Sequence, residues 1–183
     1  MTGLFGKWSR RHLLALKLLA GFAVLATGYS LFVPYGLAWN LTSSIPEGLY
    51  FSQVLGPSDQ VSRGDIVCDQ YVAPSWARGR DYGAPKLRMC KPVVGLAGDQ
   101  VSVRGSRIRI TSTQNPAGVE ALLLPTDSKG RAMPQEVNPT GPVPLDTVFL
   151  MSTYRSNSLD SRYLGPIPRA ALTHKVFPLW VRD

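Results

Sequence analysis

The chemistry open to this sequence is narrowed first by what its side chains cannot do. Only two histidines are present, and His12 falls among N-terminal basic residues, so a Ser-His-Asp arrangement would have to rest on His174 alone. His174 stands beside Lys175 in a strand-like C-terminal run, where a surface or packing role is expected. No GxSxG, HExxH or glycine-rich phosphate loop occurs. The only cysteines, Cys68 and Cys90, are too few and too far apart for a zinc cluster, so neither a metal nor another cofactor is expected. What remains is a serine nucleophile activated by something other than histidine.

The elements that would have to position such a serine divide the chain in two. From Leu18 to Trp39 the run LLAGFAVLATGYSLFVPYGLAW is 22 residues without a charge, enough for a helix to cross a bilayer core of roughly 30 Å. Basic residues crowd its N-terminal side in KWSRRH, which puts that end in the cytoplasm and everything after residue 40 outside. The expectation is a basic cytoplasmic segment at 1–12, a transmembrane anchor at 13–39, and a domain outside the cytoplasm at 40–183. A cleaved secretory signal with its site near Ala26 to Gly28 is the rival, but the apolar stretch continues through Leu31, Phe32 and Val33, longer than such a signal needs.

Beyond the anchor the sequence reads as mainly β. GLYFSQVL at 48–55, DIVCDQYV at 65–72 and KPVVGLAGD at 91–99 are short apolar runs bounded by turn formers. QVSVRGSRIRI at 100–110 alternates around Arg104-Gly105 as a hairpin does. VFLMS at 148–152 and HKVFPLWV at 174–181 complete the sheet, and the proline- and glycine-rich stretch 111–144 is expected to be loops with short strands. Fifteen prolines and 17 glycines, most of them after residue 44, leave little room for helix there.

The net charge is +8, of which Lys7, Arg10, Arg11 and Lys17 supply four before any acidic residue appears. The remaining basic residues are scattered and form no stripe, so nucleic acid is not an expected partner. In an oxidising compartment Cys68 and Cys90 would close a loop worth about 3 kcal/mol; two independent buried thiols fit the sequence equally well.

Three segments carry the chemistry: NLTSSIPEGLY at 40–50, KPVVGLAGDQV at 91–101 preceded by RGDIV at 63–67, and SNSLDSRYLGPIP at 156–168. In content and order they resemble the type I signal peptidases, and the N-x-T-x-S-x-P-x-G-L-Y form with the small size is similar to the TraF-type peptidases of conjugative transfer. The resemblance implies a signal-peptidase-like antiparallel β domain in the periplasm, behind one transmembrane helix in a bacterial inner membrane, with Ser44 as nucleophile and Lys91 as general base. It implies an oxyanion hole from the Ser44 amide and the Thr42 hydroxyl, Ser158 orienting the lysine amine, and Asp160 with Arg162 as a supporting ion pair. Ser43 is the competing nucleophile, since the S-x-x-P pattern of leader peptidases counts back to it from Pro46. Pro92 and Ala97 depart from the larger family, which commonly has arginine and proline there.

A lysine base must be neutral, and apolar neighbours such as Val93, Val94 and Leu96 would destabilise its ammonium. The implied substrate is a membrane-inserted pilin precursor, whose own amino terminus captures the acyl-enzyme in some TraF-type systems; other transfer proteins are implied partners. A general leader peptidase and a non-catalytic membrane scaffold are the alternative readings.

Overall fold

In the computed structural model, the chain is described over residues 10–32, 35–82, 88–134 and 140–182. It divides into two compact units, one around α1 (Arg10–Phe32) and one comprising Leu37–Asp183.

Helix α1 replaces part of the expected anchor and corrects its bounds. It ends at Phe32, and Tyr35–Asn40 form a strand, β1, where the anchor was expected to continue to residue 39. A proline at 34 has no N–H with which to continue helical bonding, so the uncharged run does not behave as one helix. Among the described residues no helix is long and apolar enough to cross a membrane, and the expected transmembrane span is not supported.

The second unit is mainly β, as its alternating apolar runs require. Seven strands form one sheet in the order β1-β2-β11-β3-β4-β9-β10: after β1 come β2 (Gly48–Val54), β11 (Leu172–Val181), β3 (Ile66–Gln70), β4 (Arg88–Gly95), β9 (Thr147–Leu150) and β10 (Ile167–Pro168). The pairings of β11 with β2 and β3, of β3 with β4, and of β9 with β4 and β10 are antiparallel. A second sheet holds β7 (Val119–Leu122), β6 (Arg107–Thr111), β5 (Gln100–Arg104) and β8 (Gly141–Pro142) in that order. The hairpin turns at Gly105, whose φ of 58° suits a residue without Cβ. Between 111 and 144 lie β7, β8 and an isolated bridge of Thr126 with Ala132, and 135–139 fall outside the described residues.

The main core gathers Val94, Val101, Ile108, Ile110, Phe149 and Met151, packing the second sheet against the ends of β4 and β9. A smaller cluster of Val67, Val93, Val148, Leu150 and Leu172 lies along the large sheet. Val67 and Val93 flank the position of Lys91, so the strand pair that carries the lysine is built into the interior.

Candidate active site

The loop between β1 and β2 carries Ser43 and Ser44, and its shape is fixed by side chains bonded to its backbone. The Asn40 amide donates to the carbonyls of Thr42 (2.6 Å), Ile45 (3.2 Å) and Pro46 (3.0 Å), while its Oδ1 accepts from the Thr42 N–H (3.1 Å). The Tyr50 hydroxyl donates to Pro46 O (2.7 Å), and the Ser152 hydroxyl donates to Ser44 O (2.5 Å). Gly48 closes the loop: a Cβ there would collide with the carbonyl of Trp180 on β11, which explains a glycine in PEGLY. Five sites of attachment on so short a loop leave Ser44 little freedom to wander.

Lys91 points inward from the middle of β4, on the face it shares with Val93, and is 6% exposed. Burial pushes its amine below the ordinary lysine range, opposed by the Asp160 and Asp69 carboxylates and aided by the Arg162 guanidinium. A lysine so placed is biased toward the neutral form that accepts a proton.

The residues just after β9, Met151 and Ser152, join the two. Ser152 holds the Ser44 carbonyl, and the N–H of its neighbour Met151 donates to Pro92 O (3.0 Å), next to Lys91. The Ser152 N–H donates in turn to Asp160 Oδ2 (3.0 Å). Asp160 caps α2 (Ser161–Leu164) and accepts from Arg162 Nε (2.9 Å) and Nη2 (2.8 Å) in an ion pair with both side chains fully buried. The remaining Arg162 hydrogens go to the carbonyls of Leu122, Ser152, Arg155 and Ser156 at 3.1–3.3 Å. Ser158 is buried, and its hydroxyl has no hydrogen-bond partner among the described residues.

Two features bear on roles expected from the sequence. The Thr42 hydroxyl is exposed and donates to Asn40 Oδ1 (2.7 Å), so it would have to leave that acceptor to bind an oxyanion. No hydrogen bond joins Ser44 to Lys91 among the described residues. His174 sits near the start of β11, opposite Cys68 and Val54, and burial lowers its pKa. Cys68 and Cys90 face each other across β3 and β4 and are joined by a disulfide.

Sequence reasoning missed Asn40, Ser152 and Asp69. Asn40 acts through the backbone of its own loop and Ser152 through that of a loop distant in sequence, and neither leaves a periodic trace. Asp69 had a trace in its parity: in IVCDQY it alternates with the inward Val67 and Tyr71. Two motif charges also gain a reason, because Arg63 of RGDIV pairs with Asp99 of KPVVGLAGD (2.7 Å) and so ties the two segments together. Asp99 additionally accepts from the Leu96 N–H (2.6 Å), closing the turn after β4.

A β body that places a buried lysine, a stapled serine loop and a buried Asp-Arg pair together has the parts of an acyl-transfer site. The model of the family described as signal peptidase, peptidase S26, matches residues 9–180, and the chain belongs to that family of serine peptidases. Among curated proteins, it is 30% identical over 172 residues to the plasmid transfer protein TraF of Escherichia coli, covering 90% of this chain and 89% of that one. It is 31% identical over 182 residues to the conjugal transfer protein TraF of Agrobacterium tumefaciens, covering 93% and 97%. A signal peptidase I from Enterococcus faecalis matches 62% of this chain and 94% of that one at a TM-score of 0.35 and 19% identity, a likeness too loose to bear on function.

Proposed function

We propose that this protein is a membrane-associated peptidase that cleaves a membrane-inserted pilin precursor for conjugative transfer, with Ser44 as nucleophile and Lys91 as general base. The single observation that carries the reading is Lys91, a buried lysine whose ammonium is disfavoured by its surroundings. The neutral amine takes the Ser44 proton as the hydroxyl oxygen attacks the scissile carbonyl. The resulting ammonium gives that proton to the leaving amine, and an acyl-enzyme remains. Water attacks next with Lys91 again accepting the proton, or the substrate's own amino group attacks and closes a ring. The Ser44 amide and Thr42 hydroxyl would hold the oxyanion, and Ser158, whose hydroxyl is uncommitted, would orient the amine. Serine and lysine need not touch before substrate arrives, since catalytic hydrogen bonds commonly tighten in the complex.

A place in conjugal transfer rests on the names of the relatives, and pilin as substrate on the resemblance of the 40–50 segment to the TraF-type peptidases. Membrane association rests on exposed apolar side chains, and the β body outside the cytoplasm rests on the basic residues of KWSRRH at the N-terminal side of the apolar run. In α1, Leu18, Leu19, Phe22, Val24 and Leu25 are 66–74% exposed. In the β body, Leu37, Trp39, Leu41, Leu179 and Trp180 are exposed, with the two tryptophan rings 5.8 Å apart, an aromatic composition suited to a bilayer interface.

Ser43 is a second candidate nucleophile on one observation: it lines a cleft of about 530 Å³ with Ile45, Tyr154 and Arg155, whereas Ser44 does not. The test is processing of precursor pilin in membranes carrying wild type, Ser43→Ala, Ser44→Ala or Lys91→Ala, read by mass spectrometry. Loss with Ser44→Ala and Lys91→Ala alone supports the reading, and a product one water lighter than the linear peptide marks cyclisation. Loss with Ser43→Ala alone transfers the nucleophile, and processing in every variant removes the peptidase assignment in favour of a scaffold.

A further inference from the structure

A lysine that takes the serine proton becomes a buried ammonium, and such a cation needs an anion that is not already spoken for. Two carboxylates act on Lys91, those of Asp160 and Asp69. Asp160 is saturated: it receives two hydrogen bonds from Arg162 side-chain nitrogens and two from backbone N–H groups. Asp69 is different. It is 4% exposed, enters no ion pair among the described residues, and its Oδ1 has no hydrogen-bond partner among them.

The sheet register puts this spare carboxylate beside the lysine. Across β3 and β4, Val67 faces Lys91, Cys68 faces Cys90 and Asp69 faces Met89, so Asp69 and Lys91 are diagonal neighbours on one face. Such diagonals lie about 7–8 Å apart between backbones, within reach of a lysine side chain. The intervening pair is the disulfide, which fixes the register that creates the diagonal.

Resting on the serine and lysine reading above, we infer that Asp69 is a positioning residue that supplies the counter-charge to the Lys91 ammonium formed during acylation. The groups facing this centre are Lys91 and Asp69 on the paired strands, Asp160 and Arg162 on the α2 segment, and Tyr71 beyond β3. Tyr71 is held neutral by burial, with its pKa pushed up to about 12, so Asp69 is the member not already paired that can change charge near neutrality. Burial raises the Asp69 carboxyl to about 6, against the lowering pull of its own backbone N–H and of Lys91. An ionised Asp69 therefore favours charged Lys91, and a protonated Asp69 releases that hold.

The experiment is the pH dependence of kcat/KM for precursor cleavage by the full chain, in wild type, Asp69→Asn and Asp69→Glu. Loss of the anion in Asp69→Asn makes Lys91 easier to deprotonate, so the acidic limb moves down by about half to one pH unit. The rate on the plateau falls several-fold because the ammonium formed in the reaction is less stabilised, and Asp69→Glu restores the wild-type limb. An acidic limb that stays put, even with lower activity, means Asp69 only packs and overturns the inference while the serine and lysine assignment stands. Lys91→Ala in the same assay separates the two: cleavage surviving there overturns the assignment and the inference together.

Discussion

Replacing Lys91 by methionine should make the protein more stable while abolishing cleavage. The lysine is 6% exposed beside Val67 and Val93, which are 0% and 1% exposed, so its amine sits where an unbranched apolar chain would fit without loss of contact. Its pKa is lowered in the fold, so between the folded and unfolded values the unfolded chain binds more protons. Stability therefore rises with pH across that window, and at neutral pH the buried lysine subtracts from it. Exchanging whole buried ion pairs for apolar groups is often neutral or gains about 1–4 kcal/mol, and Lys91, which enters no ion pair among the described residues, can be exchanged without breaking one. About 1–2 kcal/mol is expected here, because Asp69 loses its neighbouring cation in the exchange. For a domain of this size that raises Tm by about 3–8 °C. Thermal and urea unfolding of wild type and Lys91→Met at pH 7 and pH 10 measures it, with the gain shrinking as the unfolded lysine approaches its own pKa near 10.4. A Met variant that melts below wild type at pH 7, or a gain as large at pH 10, would refute the account of Lys91 as a strained base.

Two further outcomes concern what surrounds the site. Arg162→Met leaves Asp160 as a buried carboxylate without its cation and should cost about 3–5 kcal/mol, read as a Tm lower by about 10 °C, with Asp160→Asn in the same chain recovering part of it. Cys68→Ala with Cys90→Ala, or reduction of the wild type, should cost about 3 kcal/mol for a bond of sequence separation 22, measured by urea unfolding with and without reductant.

Much of the β body was legible because its signals are local. The alternation of Val101, Val103, Ile108 and Ile110 around Arg104-Gly105 is a hairpin whatever the rest of the chain does, and β5 and β6 pair as that pattern requires. The N-terminal run misled for the same reason. A count of uncharged residues sees neither Pro34 nor the preference of Tyr35–Asn40 for the sheet beside β2, so β1 was read as helix. At the site, the candidates Ser44, Lys91, Ser158, Asp160 and Arg162 are named from the sequence because they stand in short motifs. Asp69 could not, since what distinguishes it is an unpaired oxygen, and pairing is a property of three-dimensional neighbours. The choice between joined and separate cysteines likewise waited on register, which alone shows that Cys68 and Cys90 face each other.

The close passage of β11 over Gly48 has a consequence for timing. The nucleophile loop and β2 are made early, whereas β11, which pairs with β2 from Gly48 to Val54 and whose following Arg182 N–H bonds Glu47 O, is made last. A chain emerging N-terminus first thus carries its serine loop beside a strand that lacks its neighbour until nearly the whole β body has been made. The scaffold around Ser44 would then come into being only with the finished β body, and a partly made chain would hold that serine on an open edge.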